Sequence, residues 1–299
     1  MEIWSTARFT IPLPPGHRFP ALKYAMLRDE VVGRGLVSQA AIREPEPADW
    51  DDLALVHTWR WLGAMRNGQL SAGEARRLGF PWSEGLRERS LRTVQATVEV
   101  GRSALREGGA ASLAGGTHHA HADFGEGYCC FNDVALAIRL LQRDGLIGRA
   151  AVIDLDVHQG NGTAGIFAED PDVFTFSIHG ARNFPFHKAQ SSLDVELEDG
   201  TGDREYLDCL TRQLDMVLDR ARPDLVFYLA GADPYCGDRL GRLALSIEGL
   251  ARRDRAVLAT CQARGLPVAL VMAGGYAADL SHLVTIHANS IAELHRAYV

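Results

Sequence analysis

The chain has 299 residues, 46% of them hydrophobic and 23% charged, with a net charge of −7. This composition supports a full core and excludes a disordered chain, and the negative balance excludes nucleic-acid or membrane-surface binding through bulk positive charge. No apolar run approaches the ~20 residues of a membrane helix, the first residues lack the order of a signal peptide, and five cysteines without a CxxC spacing fit a reduced, cytoplasmic protein.

In chain order, the first hundred residues read as mostly helical, over Ala21–Gly33, Trp50–Met65 and Leu86–Glu107. Gly115-Gly116-Thr117-His118-His119-Ala120 follows, an adjacent histidine pair in a glycine-flanked loop. Such a pair can act as base toward a metal-activated water. Gly125-Glu126-Gly127-Tyr128-Cys129 then leads into a helix over Asn132–Asp144.

The apolar strand Ala150–Leu155 runs into Asp154, Asp156 and His158, spaced two apart and so on one face. Positions i and i+4 of a strand lie ~13 Å apart, too far to share one ion. Asp156 and His158 are therefore the expected metal-binding pair, with Asp154 deeper and orienting another group. Gly160-Asn161-Gly162-Thr163-Ala164-Gly165 also fits a dinucleotide-binding turn. Against it, no acid occurs between Asp172 and Asp194, and Asp156 and His158 occupy the turn where a pyrophosphate would sit.

Strand Val173–Ile178 ends at His179, placed on the pocket wall, and a helix is expected over Arg204–Ala221. Strand Leu225–Ala230 passes through Gly231-Ala232 to Asp233, the natural third ligand of an open catalytic site. A helix over Ser246–Arg264 precedes the strand Pro267–Ala273, which ends in Gly274-Gly275-Tyr276 and presents a phenol at the same rim. These strands do not alternate with polar residues, as expected of one α/β domain over residues 1–299 whose parallel sheet is covered on both faces. Ligands of such sheets bind beyond the carboxyl ends of the strands. Each motif alone also fits a turn or an exposed loop; four of them at the strand ends of one sheet do not. His17, His57, His121, His187, His282, His287 and His295 read as loop, surface or helix-face residues, and Cys129 as a small pocket-lining one.

GGTHHA, GYCCFND, DLDVHQGNGT, SIH, AGADP followed by GDRLG, and AGGY occur here in the order found in the histone deacetylase superfamily, which includes acetylpolyamine amidohydrolases and acetoin-utilisation proteins. The chain resembles that superfamily from about His17 to Tyr276. HQGNG and the early HRFPALKY look most like its class IV-type and bacterial branch. The resemblance implies the arginase/deacetylase fold, with a parallel sheet of about eight strands. It implies zinc ligation by Asp156, His158 and Asp233, a donor set that iron(II) would suit nearly as well, and catalytic roles for His118, His119 and Tyr276, with Asp154 holding His118. It further implies a substrate channel at Tyr128 and Phe184 with Gly127, Gly274 and Gly275, and a potassium-like cation near Asp154, Asp156, His158, Ser177 and Ile178.

The expected reaction is removal of an acetyl or longer acyl group from a lysine-like amine of a protein or peptide. An acetylpolyamine or another small amide as substrate, and a silent acyl-group reader, are the alternatives; neither a nucleic acid nor a membrane is an expected partner. The chain departs from many relatives at Gln159, where a second histidine is common, and at Asn161, where an acid often partners the second tandem histidine. An amide at Asn161 is expected to leave His119 with a lower pKa than a carboxylate would. Ala273 replaces the usual glycine before GGY, and no rim aspartate for gripping a peptide backbone is identifiable.

Overall fold

A computed structural model describes residues 1–299. Its strands are β1 (Ile3–Trp4), β2 (Ile42–Arg43), β3 (Gly109–Ser112), β4 (Ala150–Asp154), β5 (Val173–Gly180), β6 (Leu193–Leu197), β7 (Leu225–Leu229) and β8 (Val268–Val271). All pair in parallel, in the order β2-β1-β3-β8-β7-β4-β5-β6. The helices are α1 (Lys23–Gly33), α2 (Trp50–Leu53), α3 (Trp59–Asn67), α4 (Ala72–Leu78), α5 (Glu84–Glu107), α6 (Asp133–Arg143), α7 (Asn161–Ile166), α8 (Asp203–Ala221), α9 (Ile247–Ala263) and α10 (Leu280–Tyr298).

The central strands are buried along their whole length because helices cover both faces. Along β4, Ala151 and Ile153 face one core with residues of α1, α8, α9 and α10, while Ala150 and Val152 face the other with residues of α5 and α6. This is the eight-stranded parallel sheet with helices on both faces expected from the sequence. In register, Asp154 lies beside Leu229 of β7 on one side and Ser177 of β5 on the other. The loops after β4, β7 and β8 therefore open at one end of the sheet.

The four apolar strands stand where periodicity places them, within a few residues at their ends. The predicted helix over Trp50–Met65 is instead two helices, α2 and α3. His57 turns into the core between them, with Nδ1 on the His121 carbonyl and Nε2 accepting from the Asn132 N–H. Thr58 then caps α3, accepting from the Trp61 N–H. His57 is thus a buried tie and not a surface residue, and burial pushes its ring down to about 4. His287 is likewise buried, in α10.

The Gly160–Gly165 turn opens α7 and packs against the histidine loop: the Thr163 N–H donates to the His118 carbonyl at 3.1 Å. A Cβ on Gly162 would meet the Ala120 carbonyl oxygen at 2.3 Å. This close approach is the reason for glycine there, and it leaves no space for a pyrophosphate.

Candidate active site

Because β4 and β7 are adjacent and parallel, the residues just beyond their ends meet. Donor atoms of Asp156, His158 and Asp233 all lie within 4.8 Å of one another, and all three residues are buried. His158 Nδ1 is 2.9 Å from Asp156 Oδ1 and 3.2 Å from Asp233 Oδ2. The other carboxylate oxygens are held by backbone. Asp233 Oδ1 accepts from the Val157 N–H at 2.9 Å, and Asp156 Oδ2 from the Gly274 N–H at 2.7 Å. Asp233 Oδ2 has no hydrogen-bond partner.

Burial opposes charge on His158, yet the two carboxylates outweigh it and push the ring up to about 10. Burial and the Asp156 carboxylate push Asp233 up to about 7. Two buried carboxylates this close, with one orphaned oxygen and an imidazole between them, fit a divalent cation. The mixed N/O donor set suits zinc or iron(II).

The two loop histidines sit in contrasting settings 4.2 Å apart, ring centre to ring centre. His118 Nδ1 is 2.6 Å from Asp154 Oδ2, and although burial opposes it, Asp154 and Asp156 push the ring up to about 9. His119 Nδ1 is 2.7 Å from Asn161 Oδ1. Burial first, and then the charges of His118 and His158, hold His119 well below the usual imidazole range. Neighbouring groups whose pKa values are driven apart divide acid and base roles between them.

One carboxylate behind this pair carried no role in the sequence reading. Glu126 Oε1 accepts from Asn161 Nδ2 at 2.6 Å, and the same Nδ2 faces His121 Nε2 at 3.2 Å. Burial opposes its charge, but hydrogen bonds from His121 and Asn161 hold Glu126 below the usual carboxylate range. With its NH₂ fixed on an anion, Asn161 must turn its oxygen to His119. His119 then carries its proton on Nδ1 and leaves Nε2 free to accept one. An aspartate at 161 would face Glu126 as a like charge, which is a physical reason for the amide in this chain.

Glu126→Gln should lower kcat about tenfold with KM little changed, since a charge-assisted hydrogen bond contributes about 1.5–3 kcal/mol and glutamine tolerates either orientation of Asn161. Nitrogen-15 spectra of the histidines should show mixed His119 tautomers in the variant. A single unchanged tautomer with full kcat would remove Glu126 from this role.

A second missed residue is Arg253, buried in α9. Its Nη1 donates to the carbonyls of Leu155 at 3.1 Å and Gly231 at 2.7 Å, tying together the two loops that carry the candidate ligands. Its position on a helix far along the chain gives no motif signal.

At the end of β8, Ala273 adopts φ +54°, a left-handed conformation that glycine would take more readily. A Cβ on Gly274 would meet Asp233 Oδ2 at 2.0 Å, so only glycine allows the loop this close to the carboxylates. Tyr276 packs edge-on to His158 with centroids 6.4 Å apart, and burial pushes its phenol well above the usual range, so it stays a hydrogen-bond donor.

Tyr128, Phe184, Gly127 and Tyr276 line an outer pocket of about 520 Å³ that reaches His119 and His158. Phe184 stands edge-on to His119 at 4.9 Å. Gly274 and Cys129 line an inner space of about 70 Å³. Burial raises the Cys129 thiol well above its usual value, so it is no thiolate nucleophile. Gly275 is a correction: it lines neither pocket, because it is buried where a Cβ would meet Leu283 at 2.4 Å. Ser177 and Ile178 lie on β5 next to Asp154, with Ser177 Oγ 2.9 Å from His179 Nδ1. Gln159 reaches away to the Ala189 carbonyl and Asp194 Oδ1, both at 2.8 Å.

Comparison with known proteins adds three findings. The model of the histone deacetylase domain matches residues 17–291. An uncharacterized protein of Picosynechococcus is 45% identical, over 97% of this chain and 95% of its own, and histone deacetylase 2 of Arabidopsis thaliana is 30% identical over 94% and 74%. The crystal structure of the HDA15 HD domain superposes with a TM-score of 0.82 at 19% identity, over 99% of this chain and 88% of that one.

Proposed function

Since the chain belongs to the histone deacetylase family, we propose that it is a metal-dependent deacylase that hydrolyses the amide of an acyl-lysine-like substrate. The observation carrying this reading is the pairing of the Asp156–His158–Asp233 cluster with two adjacent histidines, His118 bonded to the Asp154 carboxylate and His119 to the Asn161 amide oxygen. A divalent cation held by the cluster supplies Lewis-acid polarisation of the acyl carbonyl and of the attacking water.

The protein groups do the rest. Neutral His119, proton on Nδ1, takes the water's proton at Nε2 as the oxygen attacks. His118, kept cationic by Asp154, adds positive charge where negative charge develops. The Tyr276 hydroxyl donates to the oxyanion. The proton on His119 then passes to the leaving amine as the C–N bond breaks, giving a carboxylic acid and an amine, and transfer of the acid's proton leaves them as carboxylate and ammonium. Tyr128 and Phe184 flank the alkyl chain and exclude water from it. Asp154, Ser177 and Ile178, beside the ligand loop, are the proposed place for a monovalent cation that stiffens it.

Removal of metal with a chelator should abolish acetate release from an acetyl-lysine peptide, and added zinc or iron(II) should restore it. The metal giving the higher restored rate identifies the better fit to this donor set. Turnover that survives complete metal removal would overturn the proposal. A silent acyl reader would bind the peptide in both states without releasing acetate; the filled positions His118, His119 and Tyr276 argue against it.

A further inference from the structure

The mouth of the pocket carries a charge opposite to that of the protein. The chain has a net charge of −7, yet Arg76, Arg77, Arg182 and Arg242 all line the outer pocket. Arg239 lies just beside it, 3.3 Å from the Tyr276 carbonyl. The only acid in that lining is Glu126, and its carboxylate is turned inward onto Asn161. Arg76 and Arg77 make no ion pair; the Arg77 guanidinium lies 4.5 Å over the Phe124 ring. Arg182 and Arg242 share one carboxylate, Asp199, at 3.8 and 3.2 Å, and Arg182 lies 3.9 Å from Glu198. Two guanidiniums therefore lie at the mouth outside any ion pair, the nearest acid to them in that lining being the inward-turned Glu126, whose charge Arg77 feels without pairing to it, and they stand next to Phe186, which is 80% exposed.

From this collar we propose, resting on the deacylase reading above, that the enzyme selects acyl-lysines carried by acidic peptide segments and rejects polycationic carriers. The acyl-lysine side chain is neutral and fills the aromatic channel, so discrimination falls to what surrounds it at the rim. An acetylated polyamine would bring further ammonium groups against the guanidiniums, and a lysine-rich segment would do the same. Aspartate or glutamate within a few residues of the acyl-lysine would instead meet unpaired arginines, and a positive mouth concentrates such segments from solution. The same field would attract a small acylated amine bearing a phosphate. The exposed aromatic at the rim favours the peptide, because it offers an apolar surface for neighbouring side chains.

The test compares kcat/KM of the metal-loaded protein for acetyl-lysine peptides flanked by Asp/Glu, by Ala or by Lys/Arg, with acetylspermidine and a phosphate-bearing acetylated amine alongside. Acidic flanks should lead basic ones by about tenfold or more at low salt. The lead should shrink as ionic strength rises and the screening length falls below ~10 Å. Arg76→Glu together with Arg77→Glu should reverse the order of the peptides, with a melting curve confirming that the variant is folded. The salt series needs no variant and tests the same field independently.

A best substrate with basic flanks, acetylspermidine in first place, or an order unchanged by charge reversal overturns the collar's role while leaving the deacylase intact. The phosphate-bearing amine in first place overturns the peptide assignment. Silence on every substrate by the loaded, folded protein defeats the deacylase reading, and this inference with it.

Discussion

The Asp156→Asn protein is expected to bind zinc more than a hundredfold more weakly than the parent and to release no measurable acetate. Asp156 meets donors on both oxygens: the His158 N–H and ring on Oδ1, and the Gly274 N–H on Oδ2. An asparagine must turn its own NH₂ toward one of these donors, which leaves a buried clash of hydrogens costing about 1–3 kcal/mol. It also withdraws one of the two negative charges that a dication needs. Altering groups that merely orient metal ligands already costs 10–100-fold in affinity, so loss of a proposed ligand should exceed that. Calorimetric titration of the metal-free protein with zinc, alongside a melting curve, separates this loss from unfolding. Unchanged stoichiometry and activity would place the metal elsewhere.

Replacing His119 by alanine should lower kcat by 10²–10⁴-fold while KM stays within a few-fold, the range expected for one positioned general base. The ring is the only one of the loop pair whose surroundings keep it neutral, since His118 is already paired with Asp154. His118 cannot substitute without giving up its bond to that carboxylate. Removing His119 also opens the wall against Phe184, so a modest rise in KM is compatible with the assignment. Retention of more than a tenth of kcat would give the base role to another group.

The parts of this arrangement written in contiguous stretches were legible beforehand. β4, β7 and β8 show themselves as uninterrupted apolar runs because they are buried on both faces, and each ends in residues that no core would choose. The short strands β1, β2 and β3 carry too few apolar residues to register as strands; Gly109–Ser112 contains only small side chains. The break between α2 and α3 depends on His57 finding partners in the His121 carbonyl and the Asn132 N–H, contacts that no local pattern encodes. Glu126 stood within a recognised motif, but its role appears only once Asn161 is seen to bond both it and His119. The arginine collar was invisible because its members come from α4, the loop after β5 and the loop after β7, and the overall charge points the opposite way.

The strand order has a consequence for how the protein is made. β8 lies between β3 and β7, so the last strand to leave the ribosome joins two sets formed earlier, β1 to β3 on one side and β4 to β7 on the other. Until Val268–Val271 emerges, the two half-sheets share no hydrogen-bonded edge, and each exposes a strand that must wait for the same partner. The segment that closes this gap leads directly into Gly274 and Tyr276, which complete the pocket. The pocket of every nascent chain is thus incomplete until its sheet is whole, and the Tyr276 phenol arrives with the strand that unites the fold.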